Sequence, residues 1–353
     1  MKNKPIHIAG DEELLQEIVS QVQEKIEFNA QWVQRVLLMK FILFSSVISI
    51  GYAGIFYFSL SAYALLSYLL FGIASLLFAF NFSHDLAHDT VFQSRKLNNF
   101  FFNVIYSLMG AHGYAWKERH IQAHHIAPNV DQIDPDLQIL WIFRMCPSSP
   151  HLPIHRFQHF YATFIYAFYS LFWIFVKDPI VLFSGKSKSW KHHLSFWAGK
   201  LLYLAYMLVI PISFSEQSTW IILTAFLCLH LIQSLFLAFT FLITHHVEET
   251  SYPSSNEDLV IQMSWVKNQI TSSNDFYPFS RTANFIFGGF NNHIAHHLFP
   301  QTPHLYYPEI SKIIYNILEK QGIKPSQTTF TGGISSHLRF MYVLGNQPSQ
   351  RAM

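Results

Sequence analysis

Charge is the first thing this chain is short of. Only 12% of its 353 residues are Asp, Glu, Lys or Arg, about half of the roughly 25% usual in a soluble domain. Beside long apolar runs, that deficit excludes an ordinary soluble domain and points to a membrane protein. Positive charge is missing altogether from two stretches, Phe41 to Ser94 and Leu201 to Val266. The formal net charge of +2 comes with no basic block, so no nucleic-acid partner is expected. Cysteine is also scarce. Cys146 and Cys228 stand alone with no CxxC, which excludes a disulfide framework, and a reducing cytoplasm would keep both as thiols. Residues 1–35 are polar and carry Asp, Glu and Lys, so no cleavable signal is expected there.

Each stretch free of Lys and Arg holds two apolar segments. The predicted spans are Val36 to Tyr57, Ala62 to Phe80, Leu201 to Phe214 and Trp220 to Thr244, set against the ~20 residues that cross a hydrocarbon core. Lys and Arg collect before Phe41, between Arg95 and Lys200, and after Lys267. The positive-inside rule places all three regions in the cytoplasm. Phe101 to Met109 is too short to cross and reads as half-buried. Phe160 to Val176 is flanked by Arg156 and Lys177; a single crossing there would put the C-terminal half on the wrong side, so it reads as an in-plane helix. Residues 1–10 are expected to be disordered. From Asp11, a plausible N-cap, Leu14, Leu15, Ile18, Val19, Val22 and Ile26 recur at helical spacing, which predicts an amphipathic helix lying on the membrane. The fold class is therefore an all-α integral membrane protein with four transmembrane helices, in-plane helices and a cytosolic helical cap. Three regions are expected: a cytosolic amphipathic segment (1–35), the membrane domain (36–345) and a tail (346–353).

What the chain has in abundance is histidine, twenty in all. His293, His296 and His297 form HxxHH in Asn292-His293-Ile294-Ala295-His296-His297-Leu298-Phe299-Pro300. On a helix the three share one face, so their rings could meet at one spot. Neutral imidazole is the commonest metal ligand, and converging rings suit Fe, Zn, Cu or Ni. His84 and His88 give HxxxH; His120, His124 and His125 give HxxxHH. On an α-helix His125 is turned about 100° from His124, which lets it reach a second metal. Eight histidines in three boxes exceed one four-coordinate zinc and fit two ions better.

The runs HDLAHD, RHIQAHH and NNHIAHHLFP resemble the three histidine boxes of the integral-membrane fatty acid desaturases. The likeness takes in Asn129-Val130-Asp131 through Asp134-Pro135-Asp136-Leu137, then His155-Arg156-Phe157-Gln158-His159. It also includes Gly288-Gly289, His304, Tyr307-Pro308 and Ile334 through Phe340. It covers roughly residues 40 to 345, and the chain closely resembles the bacterial acyl-CoA and acyl-lipid branch. The resemblance implies a di-iron centre using O2 and two electrons to place a double bond in an acyl chain. Its ligands would be His84, His88, His120, His124, His125, His293, His296 and His297, joined by His245 near the end of the last span. His246 is the alternative, one register step away. The acyl substrate would be linked to CoA, carrier protein or membrane lipid. Electrons would come from a separate donor such as ferredoxin or a b-type cytochrome, and the enzyme would sit in a bacterial inner membrane with its site facing the cytoplasm. His293 stands where the front-end branch usually carries Gln, and no HPGG-like haem-domain stretch occurs.

Ligand histidines need acceptors for their other ring nitrogen. Asp85, Asp89 and Asp134 are best placed for that, with Glu248 a further candidate; each is equally readable as an interfacial charge or cap. His151, His155 and His159 imitate a fourth cluster, but Pro153 interrupts the helix. His230 lies within the fourth span and reads as a neutral, hydrogen-bonded residue packed between helices. The boxes alone leave open a hydroxylase or ketolase on the same scaffold. A metal transporter or haem-binding membrane protein is disfavoured, because the clusters fall beyond the span ends rather than near the midplane.

Overall fold

A computed structural model describes residues 5–137, 140–184 and 189–348. The segment 1–4 and the tail beyond residue 348 lie outside the described residues. The architecture is helical, with two short parallel strand pairs, and divides into two compact units interleaved along the chain.

The first unit comprises Ala30–Trp116 and Phe164–Ala238. Four helices are long and apolar enough to cross a membrane: Ala30–Tyr57, Ser61–Ala87, Trp190–Phe214 and Thr219–His245. With 25 to 28 residues each, they are about 38–42 Å long, which exceeds a ~30 Å hydrocarbon core. Their ends therefore project, and histidines sit on two of those ends. The helices form two hairpins, and Gln217 ties the two turns together. Its Nε2 donates to Phe58 O (2.9 Å) and Ser59 O (2.8 Å), and its Oε1 accepts from Ser61 Oγ (2.8 Å). Within the first hairpin the helices approach so closely that a Cβ on Gly51 would lie 2.8 Å from Phe71 N. Small residues serve this purpose where packing, not hydrophobicity, holds helices together.

The third span begins at Trp190, well before the Leu201 that the charge pattern predicts. Lys200, expected to mark its cytoplasmic end, is buried and stands 3.5 Å from Asp178 Oδ2, while its ammonium also donates to Gly110 O. Lys40 is likewise buried inside the first span and donates to Asn81 Oδ1 (2.7 Å). A lysine with a polar partner can sit within a span, so the charge-free stretch understates its length. The same third span carries a π-helical turn over Ala205–Val209 ahead of Pro211. Proline has no N–H to donate, and Tyr68 Oη donates to the carbonyl of Met207 (2.8 Å), one turn earlier. Tyr52 Oη does the same for Tyr206 O (2.8 Å). His230 is held by Ser170 Oγ at Nδ1 (2.8 Å) and Tyr203 Oη at Nε2 (2.7 Å), the hydrogen-bonded state its sequence position suggests. No straight helix runs through Phe160 to Val176, because the Pro153–Tyr166 and Tyr169–Phe183 helices are broken between them.

The second unit comprises Met1–Asn29, Lys117–Thr163 and Phe239–Met353. Three expectations for its N-terminus are corrected. Residues Ile6–His7 are ordered as a strand paired in parallel with Val260–Ile261. The His7 ring pins them, with Nδ1 3.0 Å from Met263 O and Nε2 2.9 Å from Ile126 O. The Glu12–Lys25 helix does form, but its stripe of Leu14, Ile18 and Val22 packs on helices Tyr307–Lys320 and Trp265–Thr271 rather than being left for a membrane. Asp11 precedes that helix without capping it, since its carboxylate accepts from Ser264 Oγ. The short His293–Leu298 helix lies among Trp265–Thr271, Tyr307–Lys320 and the strand Asn274–Phe276, which pairs with Ser326–Thr328.

Candidate metal centre

The second unit carries seven of the nine histidines singled out from the sequence, and it sorts them differently from α-helical spacing. His120–His124 is a π-helix, and the His125 N–H reaches His120 O at 3.0 Å. On an α-helix residues five apart diverge by about 140°; the wider π turn stacks them, as such turns often do at functional sites. His120 and His125 therefore face each other, Nε2 to Nε2 at 3.0 Å, and His296 Nε2 lies 3.0 Å from His125 Nε2. His124 goes elsewhere. The third box also divides: His293 and His297, four apart, share one cluster, and His296 turns to the other.

That first cluster contains His124, His245, His293 and His297, all buried. Their Nε2 atoms lie 2.7 Å (His245–His293), 3.0 Å (His124–His245) and 3.2 Å (His297 to both His245 and His293) apart. Three of the rings hold their other nitrogen against an acceptor. His124 Nδ1 donates to Asp134 Oδ2 (2.9 Å), His245 Nδ1 to Ser272 O (2.7 Å) and His297 Nδ1 to Gln269 Oε1 (2.7 Å). A carboxylate, a carbonyl and an amide oxygen only accept, so each Nδ1 carries the proton. In the neutral ring that leaves a lone pair on Nε2. Burial, reinforced by the His125, His293, His245 and His124 rings, holds His297 well below the ordinary histidine range, which favours the neutral form.

Lone pairs aimed at one another repel unless a cation stands among them. Imidazole–metal bonds of about 2.1 Å place neighbouring nitrogens about 3.0–3.4 Å apart at octahedral or tetrahedral angles. Three of the four observed spacings fall within that range, and the 2.7 Å between His245 and His293 is slightly shorter. The donor set therefore fits a metal ion chemically and geometrically.

The register at the end of the fourth span is plain in the geometry. His245 Nε2 belongs to the cluster, whereas His246 Nδ1 meets Tyr252 Oη (2.9 Å). Burial, then the His337 ring, pushes His246 down to about 3. His84 and His88 lie in the first unit on the final turn of the second span, just after a π-helical turn over Ala79–Ser83. Their ring centroids are 4.9 Å apart. Among the four carboxylates, Asp134 reaches a box histidine. Asp89 stands 3.6 Å from Arg95 and Glu248 3.0 Å from Arg339. Asp85 is buried beside His84. The apparent fourth cluster does not converge: His151 Nε2 meets Gly345 O (2.8 Å), and His155 Nε2 meets Trp141 O (2.9 Å).

Several site residues are not singled out as such from the sequence. Gln269 and Ser272 sit in no motif. Tyr307 belongs to the family-like run; its hydroxyl donates to Phe299 O (3.4 Å) and stands 3.2 Å from His296 Nδ1. Asp275 is buried, and its Oδ1 accepts from Ile294 N (2.9 Å) at the start of the third-box helix. Burial, opposed by bonds from Ile294, Tyr315 and His293, pushes its carboxyl up to about 7.

The family model for fatty acid desaturases matches residues 59–329. The chain belongs to that family. It is similar to the acyl-lipid (8-3)-desaturase of Physcomitrium patens, 29% identical over 272 residues, covering 74% of this chain and 56% of that protein. It is similar to the probable Delta(5) fatty acid desaturase C of Dictyostelium discoideum, 26% identical over 292 residues, covering 79% of this chain and 63% of that protein. It also resembles the sn-1 linoleoyl-lipid 6-desaturase of Synechocystis sp., 27% identical over 290 residues, with 80% of each chain covered.

Proposed function

We propose that this desaturase-family chain introduces a double bond into a lipid-linked acyl chain at a histidine-ligated di-iron centre. The observation that carries the reading is the convergence of four buried Nε2 atoms while three Nδ1 protons are held by Asp134, Ser272 and Gln269. One iron would take His124, His245, His293 and His297. The other would take His120, His125 and His296, with His84 and His88 entering on the strength of their motif. The chemistry that bound iron would supply is activation of O2 with two electrons and two protons from the donor side, removing two hydrogens from adjacent methylene carbons and releasing two waters. No amino-acid side chain offers such an oxidant.

The chain's own part is orientation and exclusion of water. Asp134, Gln269 and Ser272 O fix the tautomers of three rings, which raises ligand basicity. Burial keeps solvent from the nitrogens. The relatives' names favour a glycerolipid-linked acyl chain over CoA or carrier protein. Electrons would come from a separate ferredoxin or b-type cytochrome. The distribution of Lys and Arg, and the link through Gln217 between the two hairpin turns, support histidine ends that face the cytoplasm, and the resemblance to the bacterial branch supports an inner-membrane location.

Expression in a host with simple lipids, followed by mass spectrometry of its fatty acids, tests the reading. A product two hydrogens lighter supports desaturation. A product that gains oxygen would identify a hydroxylase instead.

A further inference from the structure

Asn129 opens the Asn-Val-Asp run after the second box. It is buried, and its backbone takes φ 58°, a left-handed conformation that asparagine tolerates better than most residues. Its backbone N–H donates to Asp134 Oδ2 (2.9 Å), the oxygen that also accepts from His124 Nδ1. Its carboxamide Nδ2 donates to His245 O (2.9 Å) and Ser251 O (3.1 Å), and lies 3.3 Å from Ser272 O. Ser272 O is the acceptor for His245 Nδ1. Three carbonyls surround the carboxamide nitrogen, so only an NH2 group satisfies that end. Its Oδ1 meets no donor among the described residues.

We propose that Asn129 is a positioning residue that locks His124 and His245, ligands from separate segments of the chain, into one shared orientation by holding both of their acceptors. The inference rests on the iron reading above. His124 belongs to the second box and His245 ends the last span, 121 positions later in the chain. Asn129 ties the groups behind the two rings together. Its N–H fixes the carboxylate behind one ring, and its side chain fixes the carbonyl behind the other along with the backbone of His245 itself. Loss of the carboxamide frees the His245 side of the pair while the Asp134 side stays intact.

Asn129→Gly separates these effects, because glycine accepts φ 58° and keeps the N–H to Asp134. The detergent-solubilised full chain would be loaded with ferrous iron, and its release to a chelator followed by absorbance. Mössbauer spectra of the loaded protein would be recorded in parallel. Outer partners of metal ligands are worth about 10–100-fold in affinity, so one step further out the expected effect is about tenfold faster release of one iron of two, with a changed spectrum for that iron. Asn284→Ala is the control for lost packing: Asn284 is a buried asparagine that donates to His304 O (3.1 Å), outside the boxes. It should release iron at the unmutated rate. Should Asn129→Gly fail to accumulate, Asn129→Ser gives the same reading, since its short hydroxyl cannot span the three carbonyls. Release and spectrum unchanged in the folded variant, or release accelerated equally by Asn284→Ala, overturns the proposal. An unmutated chain that binds no iron overturns the di-iron reading itself, a result visible before any variant is made.

Discussion

His293 and His297 stand four residues apart, as do His151 and His155, and both pairs lie in the same unit. The first pair brings its Nε2 atoms within 3.2 Å of each other. The second pair points its nitrogens at separate backbone groups: His151 at Gly345 O, His155 at Trp141 O and Leu152 N. Spacing is therefore not what distinguishes a metal cluster from a structural one. The difference lies in which nitrogen is spoken for. In the candidate metal cluster an acceptor takes Nδ1 of His124, His245 and His297 and leaves each Nε2 facing other rings. In the structural pair backbone carbonyls take the Nε2 protons, and the His155 Nδ1 lone pair accepts from Leu152 N.

Substitutions break or sharpen that contrast, and the largest effect is expected at the cluster. His297→Ala removes a donor that packing cannot replace. It should abolish product and lower the iron content, read by metal analysis beside lipid profiling. His245→Ala should do the same while His246→Ala retains iron and product, because only the first ring faces the cluster. Equal loss in both would contradict the register. Asp134→Asn presents the His124 Nδ1 proton with an uncharged partner. Iron affinity should fall about 10–100-fold, measured by competition with a chelator, with the protein still inserted. The smallest effect is expected at the imitation cluster. His155→Ala should keep both irons and measurable activity. It should lose about 1–3 kcal/mol through the carbonyl and N–H left without partners, seen as a lower melting temperature.

The four spans were legible because apolar length is a strong signal, and the boxes because imidazoles at fixed spacing are rare by chance. The legible part ended where long-range partners decide. Lys200 read as lying just outside the third span, yet Asp178 and the Gly110 carbonyl draw it inside. The sorting of His120 with His125 depended on a π turn, whereas a 3.6-residue period pairs His120 with His124. Gln269, Ser272 and Asn129 act through groups up to 143 positions away, and no local pattern announces such contacts. The N-terminal strand was hidden for the same reason: Ile6 and His7 are ordered by Val260 and Ile261, and nothing in residues 1–10 foretells that pairing.

The most direct test of the central claim is the iron count of catalytically active protein, taken on the unmutated chain, His297→Ala and His155→Ala side by side. Two irons per unmutated chain, a deficit in His297→Ala and two in His155→Ala are predicted. One iron in the active unmutated protein, or a loss in His155→Ala as complete as in His297→Ala, would contradict the account.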